Sequence, residues 1–213
     1  NMFRQSGYDV GVMKPVSTGG RVDARYLLKH TGLKDPIDIV NPVHFKRPLA
    51  PTIAAKLEVK RMTIGHISRI LNAYKKLKAI HKDGIIIEGV GGLMVPLGRN
   101  YMQTDLIRKL GLPVIIVSRP ILGTINHTLL TINALRSLKI PMSGFIVNCD
   151  RHSKYRGLTE RLSPRIIEEI SGVGRLTIPH IKERLKAIKC GAAAESRTKH
   201  RGAGPKACPD YRH

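Results

Sequence analysis

A lysine, two hydroxyl groups and two glycines stand close together in the segment Lys14-Pro-Val-Ser-Thr18-Gly-Gly20. The segment follows residues 9–13, whose alternating apolar pattern predicts a short strand that ends at the proline. A lysine ammonium and the backbone N–H groups of a glycine turn are suited to stabilising an anionic transition state. The alternative is an ordinary turn between a strand and a helix, with the lysine in solvent.

A carboxylate and several glycines follow the apolar run at residues 85–87, which predicts a strand buried on both faces. The candidates in this turn are Glu88, Gly89, Val90 and Gly91. Glycines let the backbone approach a phosphate, and a carboxylate at the end of a buried strand needs a partner such as Mg²⁺. Asp23, at the start of a predicted helix, is a candidate for a second metal ligand. The alternative for Asp23 is an ordinary acid in the first turn of that helix.

Two further groups follow predicted strands in the second half of the chain. Gly123, Thr124, Ile125 and Asn126 precede a helix, whose free backbone N–H groups would suit a carboxylate. The alternative is simple N-capping of the helix by Thr124 or Asn126. Asn148 follows a strand predicted at residues 144–147, and its amide offers both a donor and an acceptor to a purine edge. The alternative for Asn148 is a turn that ends the strand.

These groups lie far apart in the sequence, so the fold must bring them together. Strands are predicted at residues 9–13, 85–87, 114–117, 144–147 and 175–178, and helices at 22–30, 52–59, 63–80, 104–110, 126–138 and 158–170. This alternation predicts an α/β fold, in which a parallel sheet is flanked by helices. Ligands bind outside the carboxyl ends of the strands in such sheets, and the candidate residues occur there.

The 213 residues are 42% hydrophobic, which is enough for one compact domain. We expect it to span residues 1–188, because residues 189–213 are typical of a basic, disordered tail. The three cysteines and nine histidines match no disulfide framework or zinc motif. Without a signal peptide or an 18-residue apolar run, a soluble cytoplasmic protein is expected. The net charge of +22 would suit nucleic acid, but aromatic residues are only 4%, which favours a solvated basic surface.

In this order, the segments resemble those of the dethiobiotin synthetases, a family of the P-loop NTPase superfamily. The lysine segment that begins at Lys14 is similar to the family's KPV-x-[ST]-G loop. Asn41-Pro42 and the proline-rich residues 48–51 are similar to its NP and substrate-side proline segments. Residues 88–97 are similar to its EGAGG-x-x-x-PL stretch, and residues 122–127 to its LG-x-INH helix start. The resemblance covers about residues 8–185.

The resemblance implies an ATP-dependent ligase of biotin biosynthesis, which uses Mg²⁺ and makes dethiobiotin from 7,8-diaminopelargonate and CO₂. Lys14 would be catalytic, and Asp23 and Glu88 would hold the metal. The implied substrate-binding residues are Thr18 and, across a homodimer interface, Gly123, Thr124, Ile125 and Asn126. The implied ATP-binding residues are Asp23, Glu88, Gly89, Val90, Gly91, Asn148, Cys149, Pro179, His180 and Ile181.

The first part of the sequence departs from this family. The family opens with a strand and a G-x-x-x-x-x-GK[ST] loop, whose N–H groups and lysine hold the ATP phosphates. Residues 1–213 contain no such motif, and residues 1–7 look like the end of the helix that follows it. We therefore expect an N-terminal truncation that removes the first strand and the phosphate-binding loop, and an inactive chain as a result. Cys149 also stands where many relatives carry an acid.

Alternatives remain open at this point. A related corrinoid amidotransferase-type synthase or a partition-type ATPase would share the sheet and its nucleotide site. The segments at residues 14–19 and 122–127 argue against both. A basic nucleic-acid-binding protein, or an inactive remnant, is the alternative from a different class, and it is favoured only by the net charge.

Overall fold

The structure is a computed structural model, and it describes residues 2–58, 63–148 and 158–176. The chain divides into two compact units, residues 1–175 and residues 176–213. All helices and strands given below lie in the first unit. The expected basic tail at residues 189–213 lies outside the described residues, so it stays a prediction, as does the domain boundary at residue 188.

Helices and strands alternate along the first unit. The helices are α1 (Met2–Gln5), α2 (Val22–Thr31), α3 (Ile37–Val40), α4 (Pro51–Leu57), α5 (Ile64–Ile80), α6 (Gln103–Leu110), α7 (Thr124–Ser137) and α8 (Leu158–Ser171). The strands are β1 (Val10–Met13), β2 (Val16–Ser17), β3 (Val43–His44), β4 (Gly84–Ile87), β5 (Pro96–Gly98), β6 (Tyr101–Met102), β7 (Val114–Ser118) and β8 (Met142–Val147). Each predicted helix is present, and so is each predicted strand as far as residue 147.

The strands form separate pairs within the described residues, where the sequence had predicted one sheet. Strand β1 runs parallel to β4, from Val10 opposite Gly84 to Met13 opposite Ile87. Strands β2 and β3 are parallel, and so are β7 and β8, whereas β5 and β6 form an antiparallel hairpin. Parallel strands that are joined through helices confirm the predicted α/β fold class.

Helix α5 contacts both strands of the β1–β4 pair. Its apolar residues recur every three or four positions, and Ile70 and Leu77 are fully buried in one core together with Met13 of β1. Thr63 precedes the helix and forms a capping box with His66, which satisfies free N–H groups of the first turn. This packing fixes one face of the strand pair and leaves its two ends for polar residues.

A second core joins helices α7 and α8 to the β7–β8 pair. Its fully buried members include Ile132 and Leu135 of α7, Phe145 of β8 and Ile167 of α8. Burial of each such side chain contributes roughly 1.5–3 kcal/mol. The second strand pair is therefore held by apolar packing of its own.

Two strand predictions are wrong in detail. Residues 85–87 were expected to be buried on both faces, but Ile86 is 48% exposed. Successive strand residues point to opposite faces, so Ile85 and Ile87 pack against the first core while Ile86 lies on the other face and stays half exposed. The strand predicted at residues 175–178 is present only as an isolated parallel bridge between Arg175 and Phe145, and residues 177–178 lie outside the described part.

The short elements α3, β2, β3, β5 and β6 were not predicted. Each has two to four residues, which is too few for an apolar repeat to show. The stretch from Asp35 to Pro51, where no helix or strand was predicted, holds two of them. Among the described helices, none has both the length and the apolar content that crossing a membrane requires.

Candidate active site

Three charged side chains from separate parts of the sequence meet at the carboxyl end of the β1–β4 pair. The Nζ atom of Lys14 lies 2.9 Å from Oε1 of Glu88 and 3.0 Å from Oδ2 of Asp23. It also donates to the carbonyl oxygen of Gly89 at 3.0 Å. These three acceptors match the three protons of an ammonium. The structure thus brings Lys14, Asp23, Glu88 and Gly89 together, and the alternative of a lysine in solvent is wrong because Lys14 is only 5% exposed.

Strand pairing sets the positions of Lys14 and Glu88. Each follows directly on the last residue of its strand, and Met13 lies opposite Ile87 in the parallel register. The pairing continues one step further, since the N–H of Glu88 donates to the carbonyl oxygen of Met13 at 2.8 Å. Two residues that are far apart in sequence are therefore neighbours because their strands end at the same level.

Asp23 reaches the same point from the first turn of helix α2. The helix ends at Gly32, which adopts the left-handed conformation with φ of 68° and forms its C-cap. An acid in the first turn also interacts favourably with the helix dipole. Asp23 is therefore a first-turn acid that also pairs with Lys14, and its role as a metal ligand stays a prediction.

A buried asparagine holds the loop that follows Lys14. Asn41 is fully buried, and its Nδ2 donates to the carbonyl oxygens of Lys14 at 2.6 Å and Val43 at 3.2 Å. Its Oδ1 accepts the hydroxyl proton of Ser17 at 2.9 Å. These bonds tie the chain on either side of the proline to the β3 segment. Asn41 was noticed only as part of a family motif, and its hydrogen bonds could not be inferred from sequence.

The two glycines of this loop take backbone conformations that suit glycine. Gly19 and Gly20 have φ of 75° and 84°, values that other residues adopt with strain. Their N–H groups donate to the carbonyl oxygens of Arg47 and Phe45. Thr18, the predicted substrate contact, is half-buried beside them, and its role stays a prediction.

A second buried amide holds the glycine-rich turn after Glu88. The Oε1 atom of Gln103, the first residue of α6, accepts the N–H of Val90 at 2.9 Å, and its Nε2 donates to the carbonyl oxygen of Gly92 at 3.4 Å. Gln103 is 7% exposed. Sequence analysis missed this residue, because a glutamine in the first turn of a helix gives no local signal that it packs against a loop.

The charges at this site are unequal in number and in exposure. One ammonium, with 6% of its side chain exposed, lies between carboxylates whose side chains are 52% exposed for Asp23 and 49% for Glu88. A buried charge requires partners of this kind, and the two half-exposed acids leave an excess of negative charge facing solvent. The arrangement can hold an anion near the lysine or a cation near the acids.

The donor set fits Mg²⁺. This ion is usually bound through one or two carboxylates, with water and phosphate oxygens completing its coordination. The half-exposed acids Asp23 and Glu88 supply two carboxylates that solvent can reach. The described residues contain no group of three or more His, Cys, Asp and Glu side chains arranged around a metal position, so a cation here would depend on substrate oxygens as well.

The residues predicted from the second half lie at the carboxyl end of the β7–β8 pair. The N–H of Asn148 donates to the carbonyl oxygen of Ser118 at 2.8 Å, and the hydroxyl of Ser118 is 2.7 Å from that of Thr128 on α7. Residues 116–131 enclose a cleft of about 260 Å³ lined by Arg119, Thr124 and His127 among others. Helix α7 therefore begins beside an open cleft that both polar and apolar side chains line.

The N-capping alternative for this helix start is wrong. Gly123, with φ of 90°, occupies the N-cap position, and no side chain caps the helix. Thr124 is the first helical residue and is 4% exposed, whereas Asn126 lies in the first turn and is exposed. The backbone N–H groups of this turn therefore have no side-chain cap among the described residues. Cys149, Pro179, His180 and Ile181 lie outside the described residues, so their implied roles in ATP binding stay predictions.

A second buried cation, which sequence analysis missed, lies at the opposite end of the β1–β4 pair. The Nδ1 atom of His81 is 2.8 Å from Oδ1 of Asp9, and its Nε2 is 2.9 Å from Oδ2 of Asp35. Ionised carboxylates only accept hydrogen bonds, so both ring nitrogens must carry protons. Burial of the ring lowers the pKa of His81, but the bonds to Asp9 and Asp35 outweigh it and hold that pKa above its usual 6.5.

Comparisons with known proteins identify a family and relatives that match most of the chain. The model of a family described as an AAA domain matches residues 1–184. The ATP-dependent dethiobiotin synthetase BioD of Methanocaldococcus jannaschii is 45% identical over 148 residues, which are 69% of each chain. BioD of Thermodesulfovibrio yellowstonii is 37% identical over 208 residues, 90% of this chain and 84% of that protein. BioD of Bacillus licheniformis is 40% identical over 184 residues, 83% of this chain and 75% of that protein.

The family model spans the segments around Lys14, Glu88 and Gly123, and the relatives match most of the chain. The α/β architecture and the position of the charged cluster at the carboxyl ends of parallel strands are what such a protein requires. This chain therefore belongs to the ATP-dependent dethiobiotin synthetase family.

Proposed function

We propose that this protein makes dethiobiotin from 7,8-diaminopelargonate and CO₂ with ATP. The observation that carries the proposal is the Lys14 ammonium, buried at the carboxyl end of the β1–β4 pair and held by Asp23, Glu88 and Gly89. The family of the chain, whose relatives carry the name ATP-dependent dethiobiotin synthetase, supports the same assignment.

The reaction places negative oxygen near this lysine in each step. One amine of the substrate attacks CO₂ and loses a proton, which gives a carbamate. A carbamate oxygen then attacks the γ-phosphorus of ATP and expels ADP, which gives a mixed carbamic–phosphoric anhydride. The second amine attacks the carbamate carbon, phosphate leaves, and a proton is released as the ureido ring closes. Lys14 stabilises the developing charge on oxygen, since a fixed cation in a poorly hydrated site acts strongly on it.

Asp23 and Glu88 serve as ligands of Mg²⁺ in this proposal. When bound, Mg²⁺ neutralises charge on the phosphate oxygens of ATP. The two carboxylates also orient Lys14, because each accepts one of its protons. Gly89, Val90 and Gly91 bring backbone N–H groups and little side-chain bulk to the same edge, which suits contact with phosphate.

Substrate contacts come from two places. Thr18 lies in the loop after Lys14, and the start of α7 at residues 123–126 presents N–H groups that suit the substrate carboxylate. Leu122, next to this helix start, is 95% exposed, and Ile121 is 46% exposed. Exposed apolar side chains of this kind favour contact with another protein surface, so we infer a homodimer in which residues 123–126 bind substrate across the interface. Asn148 contacts the adenine.

The product of the complete reading frame provides the test. Incubated with ATP, Mg²⁺, bicarbonate and 7,8-diaminopelargonate, it should form dethiobiotin and ADP in equal amounts, as measured by mass spectrometry and a coupled ADP assay. Omitting the diamine should abolish most ADP release. Substitution of an exposed lysine on α5, Lys75→Ala, serves as a control that should leave both products unchanged.

The remaining candidate functions give different outcomes in the same assay. Release of ADP that responds to a corrinoid acid or to DNA, and not to the diamine, would indicate an amidotransferase-type synthase or a partition-type ATPase. Binding to DNA that falls steeply with salt, with no dethiobiotin formed, would indicate a basic nucleic-acid-binding protein. Either result would overturn the proposal.

A further inference from the structure

Gln103 connects helix α6 to the turn that follows Glu88 by more than one contact. Besides the two side-chain hydrogen bonds to Val90 and Gly92, its backbone N–H donates to the carbonyl oxygen of Val95 at 2.9 Å. The side chain is 7% exposed, so water competes little for these bonds. A single residue thus holds both ends of the turn.

The amide of Gln103 can act in one orientation only. The N–H of Val90 requires an acceptor, and the carbonyl of Gly92 requires a donor. Rotating the amide by 180° would set its NH₂ group against an N–H and its oxygen against a carbonyl. The side chain therefore fixes the direction in which both peptide groups of the turn point.

Gly89 lies directly against this amide. A Cβ atom at Gly89 would be 2.6 Å from Nε2 of Gln103 and 3.2 Å from Cδ, which is closer than carbon and nitrogen atoms pack. The carbonyl oxygen of the same Gly89 accepts a proton from Lys14. Gln103 thus contacts the peptide unit that supplies one of the three acceptors of the Lys14 ammonium.

We propose that Gln103 is a positioning residue for the candidate active site, which holds the turn after Glu88 so that Glu88 and the Gly89 carbonyl both meet the ammonium of Lys14. This inference rests on the proposed function of Lys14. Gln103 itself touches no reacting group and acts through the turn. A misplacement of a catalytic group by about 1 Å can lower a rate by about a hundredfold, so loss of this support should be visible in turnover.

Kinetics of Gln103→Met give the first test, with the full-length product of the reading frame. Methionine keeps the length of the side chain and removes both hydrogen bonds. We expect kcat to fall about ten- to a hundredfold, while the KM for ATP changes less than about threefold. Ser171→Ala is the matched control, because buried Ser171 likewise bonds two backbone groups, those of Ile167 and Val173, and should leave kcat unchanged.

A double-mutant cycle separates positioning from a general structural role. In a Lys14→Ala background the loss caused by Gln103→Met should shrink to less than about twofold, because residues that act through one another are not additive. Equal losses in both backgrounds would overturn the proposal. So would a Gln103→Met protein that is less stable but has unchanged kcat.

Acetylation of the Lys14 amine gives a readout that does not depend on activity. The buried, fully bonded amine should react slowly with an acetylating reagent, and Gln103→Met should speed its modification by about fivefold or more by loosening two of its acceptors. Unchanged labelling would contradict the positioning role. Failure of the wild-type protein to make dethiobiotin would contradict only the proposed function, because labelling does not depend on activity. If Gln103→Met does not fold, Gly89→Ala, which displaces the same amide, should give the same faster labelling.

Discussion

The two ends of the β1–β4 strand pair carry the same motif of charges in different settings. At the carboxyl end, the Lys14 ammonium lies between Asp23 and Glu88. At the amino end, the His81 imidazolium lies between Asp9 and Asp35. Both cations are about 5% exposed. Burial of the cation therefore does not distinguish the two ends, and the carboxylates and loops around each cation do.

The carboxylates differ more than the cations do. Both acids around Lys14 are about half exposed, and the loops there are built from glycines that allow close approach of a ligand. At the other end, Asp35 is 7% exposed while Asp9 is 39% exposed, and His81 packs so closely on Gly11 that a Cβ there would be 2.3 Å from the ring. We expect the carboxyl end to bind ligands, and we expect the amino end, although a cleft of about 500 Å³ opens beside Asp9, Asp35 and His81, to connect α5, β1 and the loop before α3.

Removal of Lys14 should give the largest effect. We expect Lys14→Ala to lower kcat about a thousandfold, the loss typical of a group that stabilises transition-state charge. ATP binding, measured by titration calorimetry, should change far less, and stability should fall little because Asp23 and Glu88 are half exposed and become hydrated. Equal losses in turnover and in ATP affinity would contradict the assigned role.

Removal of the other buried cation should change stability and not chemistry. His81→Gln leaves Asp35 buried without a positive partner, which should lower the free energy of unfolding by about 3 kcal/mol. Turnover per folded molecule should stay within about twofold of the wild type. Denaturant unfolding monitored by circular dichroism measures the first quantity. As a control, Asp35→Asn added to His81→Gln should recover part of the stability, because the remaining acid, Asp9, is 39% exposed and can be hydrated.

The geometry of the carboxyl end could be anticipated from sequence to the extent that it depends on where strands end. Lys14 and Glu88 each follow an apolar run, and parallel strands bring such positions to one edge. The supports of these residues could not be anticipated. Asn41, Gln103 and the Asp9–His81–Asp35 group act through tertiary contacts between segments 11 to 72 residues apart, and no local pattern of residue types indicates which buried polar groups will pair.

The pH dependence of stability between the pKa values of Asp9 and His81 should report the amino end of the strand pair. His81 has a raised pKa in the folded protein, so its contribution is complete below pH 6.5 and is lost as the pH rises through the folded value. Bonds from His81 and the N–H of Lys82 hold the pKa of Asp9 below 3.8, so its contribution is present above pH 3.8 and is lost as the pH falls through the folded value. The free energy of unfolding, measured across this pH range, should decline on the acid side and on the alkaline side. His81→Gln should remove the alkaline decline.

An exposed ion pair provides the smallest expected effect and a scale for the others. Arg165 and Glu169 are one helical turn apart on α8, with side chains 78% and 58% exposed. We expect Arg165→Ala to change the free energy of unfolding by no more than about 0.5 kcal/mol. A loss comparable to that of His81→Gln would show that burial is not what separates the two kinds of charge pair.

The most direct test follows ¹³C from bicarbonate into dethiobiotin. Mass spectrometry would compare the wild type, His81→Gln and Lys14→Ala at equal concentrations of folded protein, with ATP and 7,8-diaminopelargonate supplied. We predict similar amounts of ¹³C-labelled dethiobiotin from the wild type and from His81→Gln, and about a thousandfold less from Lys14→Ala. Equal amounts of labelled dethiobiotin from all three proteins, or no labelled dethiobiotin from the wild type, would contradict this prediction.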